Sequence, residues 1–177
     1  MVEGGGRKED RGTADSMMRI LQDFSDIAEV LWQEQARYAL IGGVAVMVHG
    51  GIRTTQDIDF LIHPEDAERV IERLTRRGYA ETQGSWMFKN SKLTLRRIWR
   101  KLPDAEDSTI VDFLIAGLPR HEEIIVNALV EPWKGPVTIR LAQKEDLIWL
   151  KSFRNSATDQ QDSDFLKTGR LPHDLPG

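Results

Sequence analysis

The sequence contains no cysteine, and this absence excludes several kinds of chemistry. Without thiols the chain can form no disulfide framework, no thiolate nucleophile and no zinc–thiolate site. Long apolar runs are also missing: no stretch is long enough to span a bilayer, and the N-terminus has no apolar signal-peptide core. We therefore expect a soluble cytoplasmic protein with no membrane partner.

The chain also has no excess of basic over acidic residues. The 28 acidic and 24 basic side chains leave a net charge of −4. This balance argues against nonspecific coating of nucleic acid, although a local basic groove stays compatible with it. A length of 177 residues favours one domain. We predict a disordered tail at 1–15, a single domain at 16–168 and a loose tail at 169–177.

The stretch from Tyr38 to Ile62 carries the clearest pattern, YALIGGVAVMVHGGIRTTQDIDFLI. It predicts a strand, a Gly-Gly turn, a short helix, a second turn and a second strand that Asp57 and Asp59 open. Aspartate is a poor strand former and is costly to bury, so two of them require an explanation. Alternate strand residues share a face, so both carboxylates should project together, with backbones roughly 6.5 to 7 Å apart. Such a pair suits Mg²⁺, which prefers carboxylate oxygens.

The pair Gly42-Gly43 lies where the first strand would turn into the short helix. Without side chains at this turn, a phosphate could approach the backbone N–H groups at the positive end of the helix. A simpler interpretation is that the two glycines only make a tight turn and that the aspartates only flank a strand. The ordered combination of both motifs favours the functional interpretation.

Together these residues resemble the signature of the nucleotidyltransferase superfamily, whose fold is shared with DNA polymerase β. Within it, the pattern is similar to that of minimal bacterial members that include abortive-infection type toxins. The residues that carry the resemblance are Gly42, Gly43, Val44, Ala45, Val46, His49, Gly50, Arg53, Thr54, Thr55, Asp57, Ile58 and Asp59. At the position of Gly43 many members of the superfamily have serine, so this chain offers only backbone donors there.

Asp112 stands alone inside the apolar run Thr109–Ile115. An unpaired carboxylate in such a strand is costly, so it either pairs with a nearby arginine or belongs to a site. The resemblance implies a third acidic ligand on a later strand, and we favour Asp112 for it, beside Asp57 and Asp59. Three other acids, Asp104, Glu106 and Asp107, lie in a segment with the composition of a loop.

Several basic residues need an interpretation of their own. Arg96, Arg97, Arg100 and Lys101 cluster near Trp99, and they either protect an edge strand or form a basic wall for phosphates. Lys151 shares a helix face with apolar residues, and its side chain could simply extend to the surface. The resemblance implies instead a lysine that faces the active-site cleft.

The same resemblance covers the end of the chain. Asp159 and Asp162 are similar to a C-terminal motif of the group, although Thr158 replaces its usual basic residue. We expect these acids to cap a helix or to orient the lysine, and not to bind metal.

The remaining elements follow from periodicity and from turn residues. Helices are predicted at about Ser16–Arg37, from Pro64 to the Arg76-Arg77-Gly78 stop, at Pro119–Leu129 and at Gln143–Phe153. Strands separated by Gln83–Ser85 and Pro103–Asp107 are predicted within Tyr79–Ile115, and a turn at Glu131–Pro136 precedes a strand at Val137–Leu141. The resemblance and this order imply an α+β fold (α/β mixed): a small mixed β-sheet flanked by helices, with C-terminal helices.

The resemblance implies transfer of a nucleoside monophosphate from a nucleoside triphosphate to a hydroxyl, with release of pyrophosphate. Asp57, Asp59 and Asp112 would hold two Mg²⁺ ions, or Mn²⁺, and Asp112 could act as general base. Gly42, Gly43, Arg53, Thr55 and Lys151 would bind the nucleotide, although Arg53 could instead brace the loop before Asp57.

The acceptor stays open between the 3′ end of an RNA such as transfer RNA, a protein and a small molecule. The alternative function is a catalytically silent nucleotide-binding or interaction domain. Such a domain could form part of a toxin–antitoxin pair.

Overall fold

The computed structural model describes residues 6–100, 108–154 and 156–170, with side chains described from residue 17 onward. Within these ranges a single mixed sheet of eight strands is flanked by helices. The helices are α1 (Gly6–Gln33), α2 (Gly42–Val48), α3 (Pro64–Arg76), α4 (Pro119–Val126), α5 (Lys144–Lys151) and α6 (Ala157–Thr168). The strands are β1 (Tyr38–Ile41), β2 (Asp57–Ile62), β3 (Tyr79–Glu81), β4 (Trp86–Phe88), β5 (Leu93–Arg100), β6 (Ile110–Ile115), β7 (Leu129–Lys134) and β8 (Val137–Leu141). The predicted fold class is confirmed.

The strands follow the order β3-β5-β6-β2-β1-β8-β7, and β4 pairs with β5 beside this path. Strands β2 and β6 run parallel at the centre, as do β1 and β8. The pairs β1–β2, β5–β6, β3–β5, β4–β5 and β7–β8 are antiparallel. The centre of the sheet is therefore formed by the two strands that carry the predicted acidic residues.

The two faces of the sheet differ in character. On one face, Phe60 and Phe113 of neighbouring strands stack with ring centroids 5.5 Å apart, and Phe24 of α1 stacks on Phe60 at 6.2 Å. Helix α1 therefore covers this face. Because side chains alternate along a strand, Asp59 and Asp112, which precede these phenylalanines, point to the opposite face. The core thus lies behind the aspartates and leaves their own face for a site.

Most predicted elements are present, including α3, β8 and the strands between Tyr79 and Ile115. Helix α1, however, begins at Gly6 instead of near Ser16. The arginine, lysine and glutamate residues between 7 and 11 are good helix formers. The helix ends before Arg37 because Gln35 has a φ of +50°, which lies outside the right-handed helical region.

Two predictions around β7 were wrong. Helix α4 ends at Val126 instead of Leu129, and the predicted turn at Glu131–Pro136 is mostly strand. Strand β7 is at the edge of the sheet, where proline is tolerated because one side of the strand has no partner to receive an N–H. Only the last part of the predicted turn, at Gly135, connects β7 to β8.

The predicted loop Pro103–Asp107, Lys101, Met1–Gly5 and residues 171–177 of the predicted C-terminal tail lie outside the described residues. The division of the chain into tail, domain and tail therefore stays a prediction. None of the helices in the described part of the chain combines the length and the hydropathy needed to cross a membrane.

Candidate active site

Three carboxylates meet at the centre of the sheet. Strands β2 and β6 are parallel neighbours, and Asp59 lies directly opposite Asp112 in their register. Asp57 is two residues before Asp59 and so points to the same face. Oxygen atoms of the three side chains all lie within 4.8 Å of one another. The structure thus brings together the three acids predicted from sequence, while their roles as catalytic residues and metal ligands stay predictions.

The crowding of these carboxylates changes the acidity of one of them. Loss of hydration, and then the charges of Asp57 and Asp112, raise the pKa of Asp59 to about 7. The cations Arg154 and Lys151 oppose this shift without cancelling it. Near neutral pH the cluster therefore retains a proton for part of the time. A divalent cation would satisfy the same excess of negative charge, so the donor set fits a metal ion that prefers oxygen ligands.

This raised pKa predicts how stability depends on pH in metal-free protein. Between pH 3.8, the ordinary pKa of aspartate, and about 7, folded Asp59 keeps a proton that the unfolded chain has lost. Rising pH therefore favours unfolding, and we expect the contribution of Asp59 to lower the free energy of unfolding until pH passes about 7. Urea unfolding in EDTA, at about pH 5 and about pH 8, measures the effect.

The matched variant for this measurement is Asp59→Asn, which should lack the decrease due to Asp59. Burial lowers the pKa of His121, which adds a pH dependence of opposite sign. Because both proteins share that contribution, it cancels in the comparison. The same pH dependence in wild type and variant would contradict the raised pKa of Asp59.

Asp112 is also paired with an arginine. Arg97 lies opposite it in the antiparallel register of β5 and β6, and donates from Nε to one carboxylate oxygen at 2.7 Å and from Nη2 to the other at 2.8 Å. The interpretation of Asp112 as the partner of an arginine is therefore confirmed, while its role as a site residue stays a prediction. This bidentate pair fixes the orientation of the Asp112 carboxylate.

The other arginines of the basic cluster serve the structure. Arg96 bonds Glu81 and Glu68, with nitrogen–oxygen distances of 2.5 to 2.8 Å. Arg100 pairs with Asp23 at 3.1 Å and also with Asp26. Each charge is thus neutralised within the protein, which favours the interpretation of a charged strand over that of a phosphate-binding wall.

The two glycines of the turn make room for the site in different ways. Gly42 has a φ of +67°, and a Cβ atom added there would lie 2.7 Å from Cγ of Asp59 and closer still to its Oδ2. Gly43 is buried, and an added Cβ would lie 2.9 Å from Oγ1 of Thr55 and 3.1 Å from Cζ of Arg53. Gly42 therefore admits the Asp59 carboxylate, and Gly43 admits the two side chains of the following loop. Their predicted contact with phosphate stays a prediction.

The loop between α2 and β2 holds Asp57 in place. The hydroxyl of Thr55 donates to Oδ1 of Asp57 at 2.8 Å. Thr55 is itself buried, so this bond is shielded from water and fixes the carboxylate rotamer. Thr55 therefore contacts a carboxylate of the cluster, whereas its predicted contact with nucleotide stays a prediction.

The two cations assigned to the nucleotide share one partner in α6. Nζ of Lys151 donates to Asp162 at 2.6 Å and to Asp159 at 3.3 Å. Arg53 also pairs with Asp162. Asp159 in addition caps the first turn of α6 through Ser156. The predicted roles of the two acids, helix capping and orientation of the lysine, are both confirmed.

A cavity of about 540 Å³ opens at the carboxylates. Its polar half contains Asp57, Asp59, Asp112, Arg97, Lys151, Arg154 and Asp159, together with Gly42. Ile41, Phe88, Leu93, Leu95, Leu114, Leu147, Leu150 and Phe153 form its apolar half, and Lys89, Asn90 and Ser91, between β4 and β5, complete the lining. This volume lies within the range of about 300 to 1,000 Å³ that is typical of small-molecule sites.

Sequence reasoning missed Arg97 as a member of the site, and also the apolar half of the cavity. The alternation of Leu93, Leu95 and Arg97 along one strand puts all three on one face, and this signal was available. Which neighbour they meet depends on the register between β5 and β6, and the alternation alone does not specify it.

No model of a protein family and no curated protein matches the chain. Among solved structures, it is similar to the lincosamide antibiotic adenylyltransferase LnuA with bound lincomycin: TM-score 0.52 and 17% identity over 83% of this chain and 96% of that one. It is also similar to ANT(2″)-Ia in complex with adenylyl-2″-tobramycin: TM-score 0.55 and 14% identity over 84% of this chain and 88% of that one. The chain therefore has the fold of nucleotidyltransferases.

Proposed function

We propose that this protein transfers a nucleoside monophosphate from a nucleoside triphosphate to a hydroxyl group and releases pyrophosphate. The observation that carries this proposal is the cluster of three carboxylates within 4.8 Å, at a cavity of about 540 Å³ in a nucleotidyltransferase fold. Fold alone does not imply activity, so the argument rests on the chemistry of this cluster.

The carboxylates have the composition of a site for two magnesium or manganese ions. Asp57 and Asp59 would hold one ion, and both would share a second with Asp112. When bound, such ions would neutralise charge on the triphosphate and lower the pKa of the acceptor hydroxyl. The raised pKa of Asp59 supports this assignment, because a group that is poorly stabilised as an anion gains most from a nearby cation.

Side chains of the protein would accept the proton and stabilise the leaving group. Asp112, held by Arg97, would accept the proton of the acceptor hydroxyl as general base. Lys151 and Arg53 would stabilise charge on the leaving pyrophosphate. Both now bond Asp162, so phosphate would compete with this carboxylate for them. Thr55 keeps the Asp57 carboxylate in position throughout.

The test is incubation of the protein with each of the four α-labelled nucleoside triphosphates, Mg²⁺ and a mixture of transfer RNA and cell extract. We expect pyrophosphate to be released and the label to appear in one acceptor class: RNA, protein or small molecule. The silent-domain alternative predicts calorimetric binding of nucleotide without release of pyrophosphate. Transfer RNA and an antitoxin remain proposed partners, the second testable by co-purification with the product of a neighbouring reading frame.

A further inference from the structure

The apolar half of the cavity narrows the class of acceptor, on the premise that the proposed function is correct. We propose that the acceptor is a small alcohol with an uncharged, apolar body. Its hydroxyl would lie at the carboxylates and its body against the apolar residues. These are Phe88, Leu93, Leu95, Leu114, Leu150 and Phe153.

The register of β5 and β6 connects the two halves directly. Arg97 faces Asp112 across the strands, and the next pair on the same face is Leu95 with Leu114. Because this pair is two residues further along each strand, the apolar surface begins roughly 7 Å from the Asp112 carboxylate. A molecule with a hydroxyl at one end and a ring or alkyl body at the other matches this change from polar to apolar.

The order of the strands separates donor from acceptor. Gly42 follows β1, whereas Phe88, Leu93, Leu95 and Leu114 lie on β4, β5 and β6. Helix α5 contributes to both sides, with Lys151 and with Leu150. The carboxylates of β2 and β6 lie between these sides. Nucleotidyl transfer requires the attacking and leaving oxygens to lie on opposite sides of the phosphorus. With the triphosphate on the side of Gly42, the apolar half is left for the acceptor.

Electrostatics disfavour the larger acceptors. An RNA strand requires several cations along its path. Arg96 and Arg100 are each paired with carboxylates on the protein itself, and Lys89 adds a single charge beside the apolar residues. A polycationic acceptor would require acidic side chains around its body, and the residues at that place, Leu95 and Leu114, carry no charge. Burial of apolar surface is the interaction that this half of the cavity can offer.

The experiment is a titration followed by NMR of the protein with ¹³C-labelled leucine methyl groups. The probes are 2-phenylethanol, tobramycin and each of the four magnesium nucleoside triphosphates. We expect saturable shifts of the methyl groups of Leu95 and Leu114 with 2-phenylethanol, which persist when a saturating magnesium nucleotide is present. Tobramycin should leave these methyl groups unshifted.

Three results would overturn the proposal. In the first, a magnesium nucleotide displaces 2-phenylethanol, which would show that the apolar half holds the base of the nucleotide. In the second, 2-phenylethanol gives no saturable shift. In the third, tobramycin shifts the methyl groups of Leu95 and Leu114. Release of pyrophosphate is measured separately, so failure of the proposed transfer is distinguished from failure of this assignment.

A pair of variants locates the probe. The double variant Leu95→Asn and Leu114→Asn should weaken binding of 2-phenylethanol at least tenfold. Leu129→Asn makes the same chemical change on edge strand β7, at the far side of the sheet, and should leave it unchanged. Equal affinities of the double variant and of Leu129→Asn for 2-phenylethanol would show that the probe binds elsewhere, and this result would reject the proposal. If the double variant does not fold, the competition experiment with wild-type protein decides alone.

Discussion

Asp59→Asn should lower nucleotidyl transfer about 10³-fold, because metal ions at such sites stabilise the transition state by several kcal/mol and each 1.4 kcal/mol is tenfold in rate. The same change should leave the metal-free protein at least as stable as wild type at about pH 8. Ionised Asp59 is poorly hydrated and is repelled by Asp57 and Asp112, and a neutral amide removes this repulsion. Activity and stability are therefore expected to change in opposite directions.

Asp57→Asn should have the same effects on transfer and on stability as Asp59→Asn, because the asparagine keeps an oxygen that can accept the hydrogen bond from Thr55. Asp112→Asn differs, because it also breaks the ion pair with Arg97 and should lower stability as well as activity. Asp164→Asn, the same change at an exposed position of α6, is the control and should alter neither. The measurements are release of pyrophosphate in Mg²⁺ and urea unfolding in EDTA. Transfer at the wild-type rate in Asp57→Asn and Asp59→Asn would end the proposal of metal-dependent catalysis.

The central strands could be predicted from sequence because their pattern is local. Alternation of side chains puts Asp57 and Asp59 on one face without reference to any other part of the chain. Asp112 is recognised by the same logic, since a single acid in an apolar strand needs a partner or a function. The resemblance implied that a third acid on a later strand joins the pair, and the parallel register of β2 and β6 in the structure brings the three together.

Contacts between distant segments could not be predicted in this way. The pairing of Arg97 with Asp112 depends on strand register, and that of Arg53 with Asp162 joins positions 109 residues apart. Pairing with an arginine and membership of a site do not exclude each other at Asp112, because a carboxylate has two oxygens and several lone pairs. Strand β7 was missed because Pro132 has the character of a turn residue unless the strand is known to be at an edge.

Gly42→Ala is expected to abolish most of the activity, because the added methyl group would displace the carboxylate of Asp59. The new methyl group would overlap the Asp59 carboxylate, with Cγ at 2.7 Å, in a backbone conformation with φ at +67°. The Asp59 carboxylate has to move by about 1 Å or more to avoid this overlap. A displacement of about 1 Å in a catalytic site can cost on the order of 100-fold in rate. We therefore expect transfer to fall about 100-fold or more, with weaker binding of Mg²⁺.

The control for backbone strain is Gly135→Ala in the turn between β7 and β8. This glycine has a φ of +58°, and nothing lies within 4 Å of an added Cβ. Both variants should lose about 1 to 2 kcal/mol of stability from the left-handed backbone alone, but only Gly42→Ala should lose transfer and Mg²⁺ binding. Assays at a temperature where both variants are folded separate the two effects. If Gly42→Ala kept the activity of Gly135→Ala, the close approach of Asp59 to the turn would have no part in catalysis, and Gly42 would serve the fold only.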